Sequence, residues 1–80
     1  MKLPRDLSGA DLVKALKKLG YDITRQKSSH IRRTTQQNGQ HHVTVPDHNP
    51  LKVGTLADIL KDVANHFDMN RDELLRELFD

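Results

Sequence analysis

His30-Ile31-Arg32-Arg33-Thr34-Thr35-Gln36-Gln37-Asn38-Gly39-Gln40-His41-His42-Val43-Thr44-Val45 reads as two β-compatible runs around a turn, and the way they pair decides which residues face water. A two-residue type I′ turn on Asn38-Gly39 would set Ile31 opposite Pro46 and Arg32 opposite Val45. A three-residue loop of Gln37-Asn38-Gly39, with Gly39 left-handed, sets Ile31 opposite Val45 and Arg33 opposite Val43 instead. A slip of one residue turns a strand over, so the apolar pattern selects the second register. Residues 30–35 are thus expected to pair with 41–45.

Upstream, residues 21–27 alternate with a β-favouring composition and predict a first strand with Tyr21 and Ile23 inward. Ser28-Ser29 makes the turn into the second. Side chains alternate across a sheet, which predicts Ile23, Ile31, Val43 and Val45 facing the helices. Thr24, Gln26, His30, Arg32, Thr34, His42 and Thr44 then share the other face, which is polar, basic and histidine-bearing. A plain solvated face of a one-sided antiparallel sheet has the same pattern.

The flanks read as helices. Ser8 is an N-cap with Asp11 at the third position, Leu7 and Leu12 form a staple, and Leu12, Leu16 and Leu19 recur at helical spacing up to the Gly20 stop. A helix over 8–19 follows. Pro46 ends the third strand, 47–54 is a loop, and Thr55 with Asp58 is the expected cap of a second helix. Leu56, Ile59, Leu60, Val63 and Phe67 form its core face. Asn70 with Glu73 repeats the capping pattern before a short helix over 71–79, whose Leu74, Leu75, Leu78 and Phe79 are expected to fold onto the rest. The fold class is α+β: helix, three antiparallel strands, helix and a short extra C-terminal helix, with the helices on one sheet face.

With 80 residues and 35% hydrophobic content, one domain over 1–80 with one small core is expected. The chain has no cysteine, which excludes a disulfide framework and thiolate metal sites and suits a reducing compartment. No apolar run approaches a membrane span and the start lacks a signal-peptide core, so a soluble cytoplasmic protein is expected. Net charge is +2, but it is unevenly spread. Between Lys14 and Lys52 eight cations face two acids, whereas Asp68 to Asp80 holds five acids and two arginines. A basic middle suggests an anionic partner.

The chemistry concentrates in Gln26-Lys27-Ser28-Ser29-His30-Ile31-Arg32-Arg33. Histidine moves protons near neutral pH, and the flanking cations suit a phosphodiester. His30 is therefore the candidate centre of an RNA-cleaving or RNA-binding surface. His42 shares the predicted face but lies opposite Thr34, about 13 Å along the strand from His30, too far to act on the same phosphate. His41 and His42 point to opposite faces, a poor arrangement for one metal. His41 and His48 read as surface residues and His66 as a cation at a helix C-terminus. Ser29 reads as a phosphate-binding hydroxyl rather than a nucleophile, since no buried acid orients it with His30.

Several pieces together resemble the HicA family of toxins. They are Ser8-Gly9-Ala10-Asp11-Leu12, Leu16-Lys17-Lys18-Leu19-Gly20-Tyr21, Arg25-Gln26-Lys27-Ser28-Ser29-His30, Val43-Thr44-Val45-Pro46 with His48, and Leu51-Lys52-Val53-Gly54-Thr55-Leu56-Ala57-Asp58-Ile59-Leu60. The resemblance spans nearly the whole chain and rests on order and spacing. It implies a fold like the double-stranded RNA-binding domain. It also implies a ribosome-independent endoribonuclease that cuts messenger RNA without a cofactor or metal and is silenced by a HicB antitoxin, as part of a homodimer or a toxin-antitoxin hetero-oligomer. The family's Gly-Ser-His tripeptide falls on Ser28-Ser29-His30. This makes His30 the catalytic residue, with Gln26, Lys27, Ser28, Ser29, Arg32, His42 and Thr44 as RNA contacts. Ser28 replaces the family glycine, a departure expected to weaken activity if that position needs a positive φ or close approach of the phosphate. A non-catalytic module that holds structured RNA is the alternative. Against it, Thr55-Leu56-Ala57-Asp58 lacks the lysine-rich helix start that double-stranded RNA binders use.

Overall fold

Ser8 caps the first helix as its spacing to Asp11 predicts. The Asp11 amide donates to the Ser8 hydroxyl at 3.0 Å and the Ser8 amide to the Asp11 carboxylate at 3.2 Å, which satisfies two first-turn donors reciprocally. The structure, a computed structural model, describes residues 3–27 and 30–79, the side chains of 24–27, 30 and 31 lying outside that set. Helix α1 (Gly9–Leu16) tightens into a 3₁₀ turn (Lys17–Leu19) instead of running on as α-helix. Gly20, at φ 83°, stops it in the left-handed conformation, where a residue without Cβ is unstrained.

Strands β1 (Asp22–Lys27), β2 (His30–Thr35) and β3 (His41–Pro46) form one antiparallel sheet in that order. The hairpin adopts the register that the apolar pattern selected, with Ile31 opposite Val45, Arg33 opposite Val43 and Thr34 opposite His42. Asn38 and Gly39 both take positive φ in the loop. Between β1 and β2 the register shifts at Ile23/Arg25, so that Arg25 stands opposite Arg32, Gln26 opposite Ile31 and Lys27 opposite His30. Strict alternation along β1 grouped Thr24 and Gln26 with Arg32, and the bulge breaks that grouping. An extra residue on one strand moves every later one to a new partner.

The helices lie over β3. Val43 and Val45 are buried there with Leu12 and Leu16 of α1, Leu56, Leu60 and Val63 of α2 (Val53–Phe67), and Leu74, Leu75 and Leu78 of α3 (Arg71–Phe79). Ile23, expected inward, is 55% exposed. It sits on the edge strand farthest from β3, beyond the cover of the helices. Arg33 is 5% exposed although it is charged.

Helix α2 starts at Val53, two residues before the expected Thr55 cap, with Lys52 as N-cap and no side-chain hydrogen bond. The cause lies upstream, where the Leu51 amide donates to the Leu7 carbonyl at 2.7 Å and the Gly9 amide to the His48 carbonyl at 2.8 Å. These bonds pin the loop to the start of α1 and aim the chain into its helix early. The Asn70-Glu73 box forms as predicted, through bonds of 3.2 and 2.9 Å. Helix α3 folds back onto the core as expected, and Lys18 Nζ donates to the Leu78 carbonyl at 3.0 Å. Among the described residues no helix is long and apolar enough to cross a membrane. Helix, three antiparallel strands and helices on one face make the α+β class expected, an order compatible with the double-stranded RNA-binding type.

Candidate functional site

Successive strand pairs build the uncovered face row by row. At one end β2 begins with His30, flanked by Lys27 on β1 and Pro46 on β3. The next open-face row is Arg25, Arg32 and Thr44, and the last is Asp22, Thr34 and His42. Cationic residues thus occupy the strand positions around His30, and the acid of the set stands at the far end. Arg25 stands opposite Arg32 by register, a pairing that strict alternation does not predict and that the bulge sets.

Of the predicted site residues, Ser28 and Ser29 lie outside the described residues, as do the side chains of Gln26, Lys27 and His30. The remaining three share one face. Arg32 is partly exposed, and His42 and Thr44 are exposed. Thr34, only 6% exposed, shares a hydrogen bond of 2.6 Å between its Oγ1 and His42 Nδ1. That bond orients the His42 ring and leaves Nε2 as its outward polar atom. His30 and His42 stand four strand positions apart, about 13 Å, so no single phosphate spans both.

A second histidine cluster forms at the opposite end of the sheet. His41, expected at the surface, is instead held on both ring nitrogens. Nδ1 is 2.7 Å from the hydroxyl of the fully buried Tyr21, and Nε2 is 3.3 Å from Asp62 Oδ1 of α2. A carboxylate only accepts, so Nε2 carries the proton and Nδ1 accepts from the tyrosine. The His66 ring stacks on His41 at 4.4 Å and 12°. His66 Nε2 donates to the Gln37 carbonyl at 2.9 Å, and the Asn38 amide to the His66 carbonyl at 2.8 Å. Burial, reinforced by the nearby Asp62 charge, pushes the Tyr21 hydroxyl far above its ordinary range. This chain of contacts ties the hairpin loop to α2. Both His41 nitrogens are occupied in it, and it lies at the Thr35-His41 end of the ladder, away from His30.

Among the described residues no group of three or more His, Asp or Glu is placed to hold a metal ion.

A family model described as HicA toxin of bacterial toxin-antitoxin matches residues 9–64. The match runs from the first residue of α1 into the last turns of α2 and includes the whole sheet, whereas α3 lies beyond it. Neither the curated proteins nor the solved structures gave a match.

Proposed function

Because the chain belongs to the HicA toxin family of bacterial toxin-antitoxin systems, we propose that it cleaves messenger RNA as a ribosome-independent endoribonuclease in the cytoplasm, with His30 as its single catalytic imidazole. A HicB-type antitoxin silences it by covering that imidazole. The observation that carries this reading is the register. His30 opens the central strand, with Lys27 as its register partner on β1 and the Arg25–Arg32 pair the next row but one along.

The chemistry needs little else. The RNA 2′-hydroxyl attacks the adjacent phosphorus and loses its proton while the 5′-oxygen leaves and gains one. An imidazole with an ordinary value near 6.5 serves either transfer, worth about 100- to 10,000-fold. Lys27 and Arg32 stabilise the charge on the pentacoordinate phosphorus. Ser28, Ser29, Thr44 and His42 hold the flanking chain. With one histidine, the other transfer, removal from the 2′-hydroxyl or delivery to the 5′-oxygen, is made by water or by a residue of a second subunit, and turnover is slow. Metal takes no part.

Induced expression tests the proposal in cells. The wild type should arrest growth, and co-expressed antitoxin or His30→Ala should relieve the arrest. An equally toxic His30→Ala would exclude the histidine mechanism. A harmless wild type that binds RNA without cutting it would identify a binding module instead.

A further inference from the structure

Arg33 is the one buried charged side chain among the described core residues, at 5% exposure, and its Nε has no hydrogen-bond partner. A buried guanidinium N–H left without an acceptor is costly, and such a donor calls for a ligand or ion. Burial draws the Arg33 guanidinium below its usual range, while the Asp22 charge partly restores it.

The side chain lines a recess of about 150 Å³, bounded by Gly9, Ala10 and Val13 of α1 and by Val45, Pro46 and Asp47. At roughly 30 Å³ per water this space takes a group the size of an oxyanion with its solvent. The start of α1 adds a donor. The Gly9 amide is used by the His48 carbonyl and the Asp11 amide by the Ser8 hydroxyl, which leaves the Ala10 amide as the first-turn donor at the positive end of the helix. Pro46 at the rim is the register partner of His30, so the recess sits at the same end of the sheet as the candidate catalytic residue.

We propose that this recess, on the helix-covered side of the sheet, is a phosphate site, in which Arg33 and the Ala10 amide hold a backbone phosphate of RNA that passes around the Pro46 end of β3. The inference rests on the nuclease reading for the identity of its ligand. RNA is favoured over an acidic protein segment by the basic middle of the chain, whose Lys27 stands opposite His30 at the same end of the sheet as the recess. Asp47 on the rim is the competing carboxylate and limits the affinity.

Two measurements test it. Thermal unfolding is followed in inorganic phosphate against chloride at matched ionic strength. Binding of a labelled single-stranded RNA is followed by anisotropy over a salt series, in the His30→Ala background. Phosphate should raise the wild-type midpoint and leave Arg33→Met unmoved. Arg33→Met should bind RNA about tenfold more weakly, with a salt slope shallower by about 0.7, the value for one phosphate contact on a single strand. Asp47→Asn, an exposed change, should tighten RNA binding several-fold, and it carries the test if Arg33→Met does not fold. A wild type indifferent to phosphate, or RNA affinity unchanged in both variants, overturns the proposal. Antitoxin binding lost in Arg33→Met with RNA binding intact assigns the recess to a protein carboxylate and overturns it equally. If the wild type never cleaves RNA yet Arg33→Met loses phosphate and RNA binding, the nuclease reading falls and the site stands.

Discussion

At Tyr21 a buried hydroxyl donates to an imidazole that a carboxylate holds from the other side. Folding raises the acid constant of this phenol, so above its ordinary value near 10 the unfolded chain has released a proton that the native state still holds. Stability is therefore complete below about pH 10 and falls as pH rises further. Denaturant unfolding at pH 8 and at pH 10.5 should show this loss in the wild type, and Tyr21→Phe should reduce it. His41→Ala leaves the Tyr21 hydroxyl without a partner and should cost about 1–3 kcal/mol. It should not change RNA cleavage per folded molecule, because His41 stands at the far end of the sheet. Alternation along β3 showed which side His41 occupies, opposite to that of His42. It could not show that Asp62 and His66, distant in sequence, would meet it there. A surface histidine and a clamped one have the same local pattern.

At the level of elements, the first helix carries its own instructions and the first strand does not. Ser8 with Asp11 and Asn70 with Glu73 are short-range pairs whose geometry follows from spacing, and both boxes form. Ser8→Ala should cost about 1 kcal/mol, measured by chemical denaturation. Gly9 is required for a different reason. A Cβ there would collide with the Pro46 carbonyl oxygen, which lies where α1 crosses the end of β3. Gly9→Ala should thus destabilise by about 1–3 kcal/mol despite its better helix propensity. The hairpin register was legible because Ile31, Val43 and Val45 agree on only one pairing. The bulge in β1 was not legible, since Thr24 and Arg25 offer no apolar preference that marks an extra residue. Ile23 was read inward from alternation alone, which holds only where a helix covers the strand, and here the helices cover β3. The early start of α2 came from backbone bonds to Leu7 and Gly9, which no local cap signal encodes.

Across the whole molecule, one side of a three-stranded layer is given to the core and the other is left to solvent with its cations toward one end. Helix α3 completes the core side. Leu74, Leu75 and Leu78 are buried in it, so a chain ending at Asn70 should lose cooperative thermal unfolding, although the family match ends before this helix. The claim on which the functional account depends is that the imidazole at the start of β2 moves protons for RNA cleavage without a metal. The direct measurement is incubation of purified protein with an end-labelled RNA in the presence of a chelator, comparing wild type, His30→Ala and Ser28→Gly. The account predicts slow cleavage by the wild type, loss of at least a hundredfold in His30→Ala, and faster cleavage in Ser28→Gly. Cleavage undiminished in His30→Ala, or abolished in the wild type by the chelator, would contradict it.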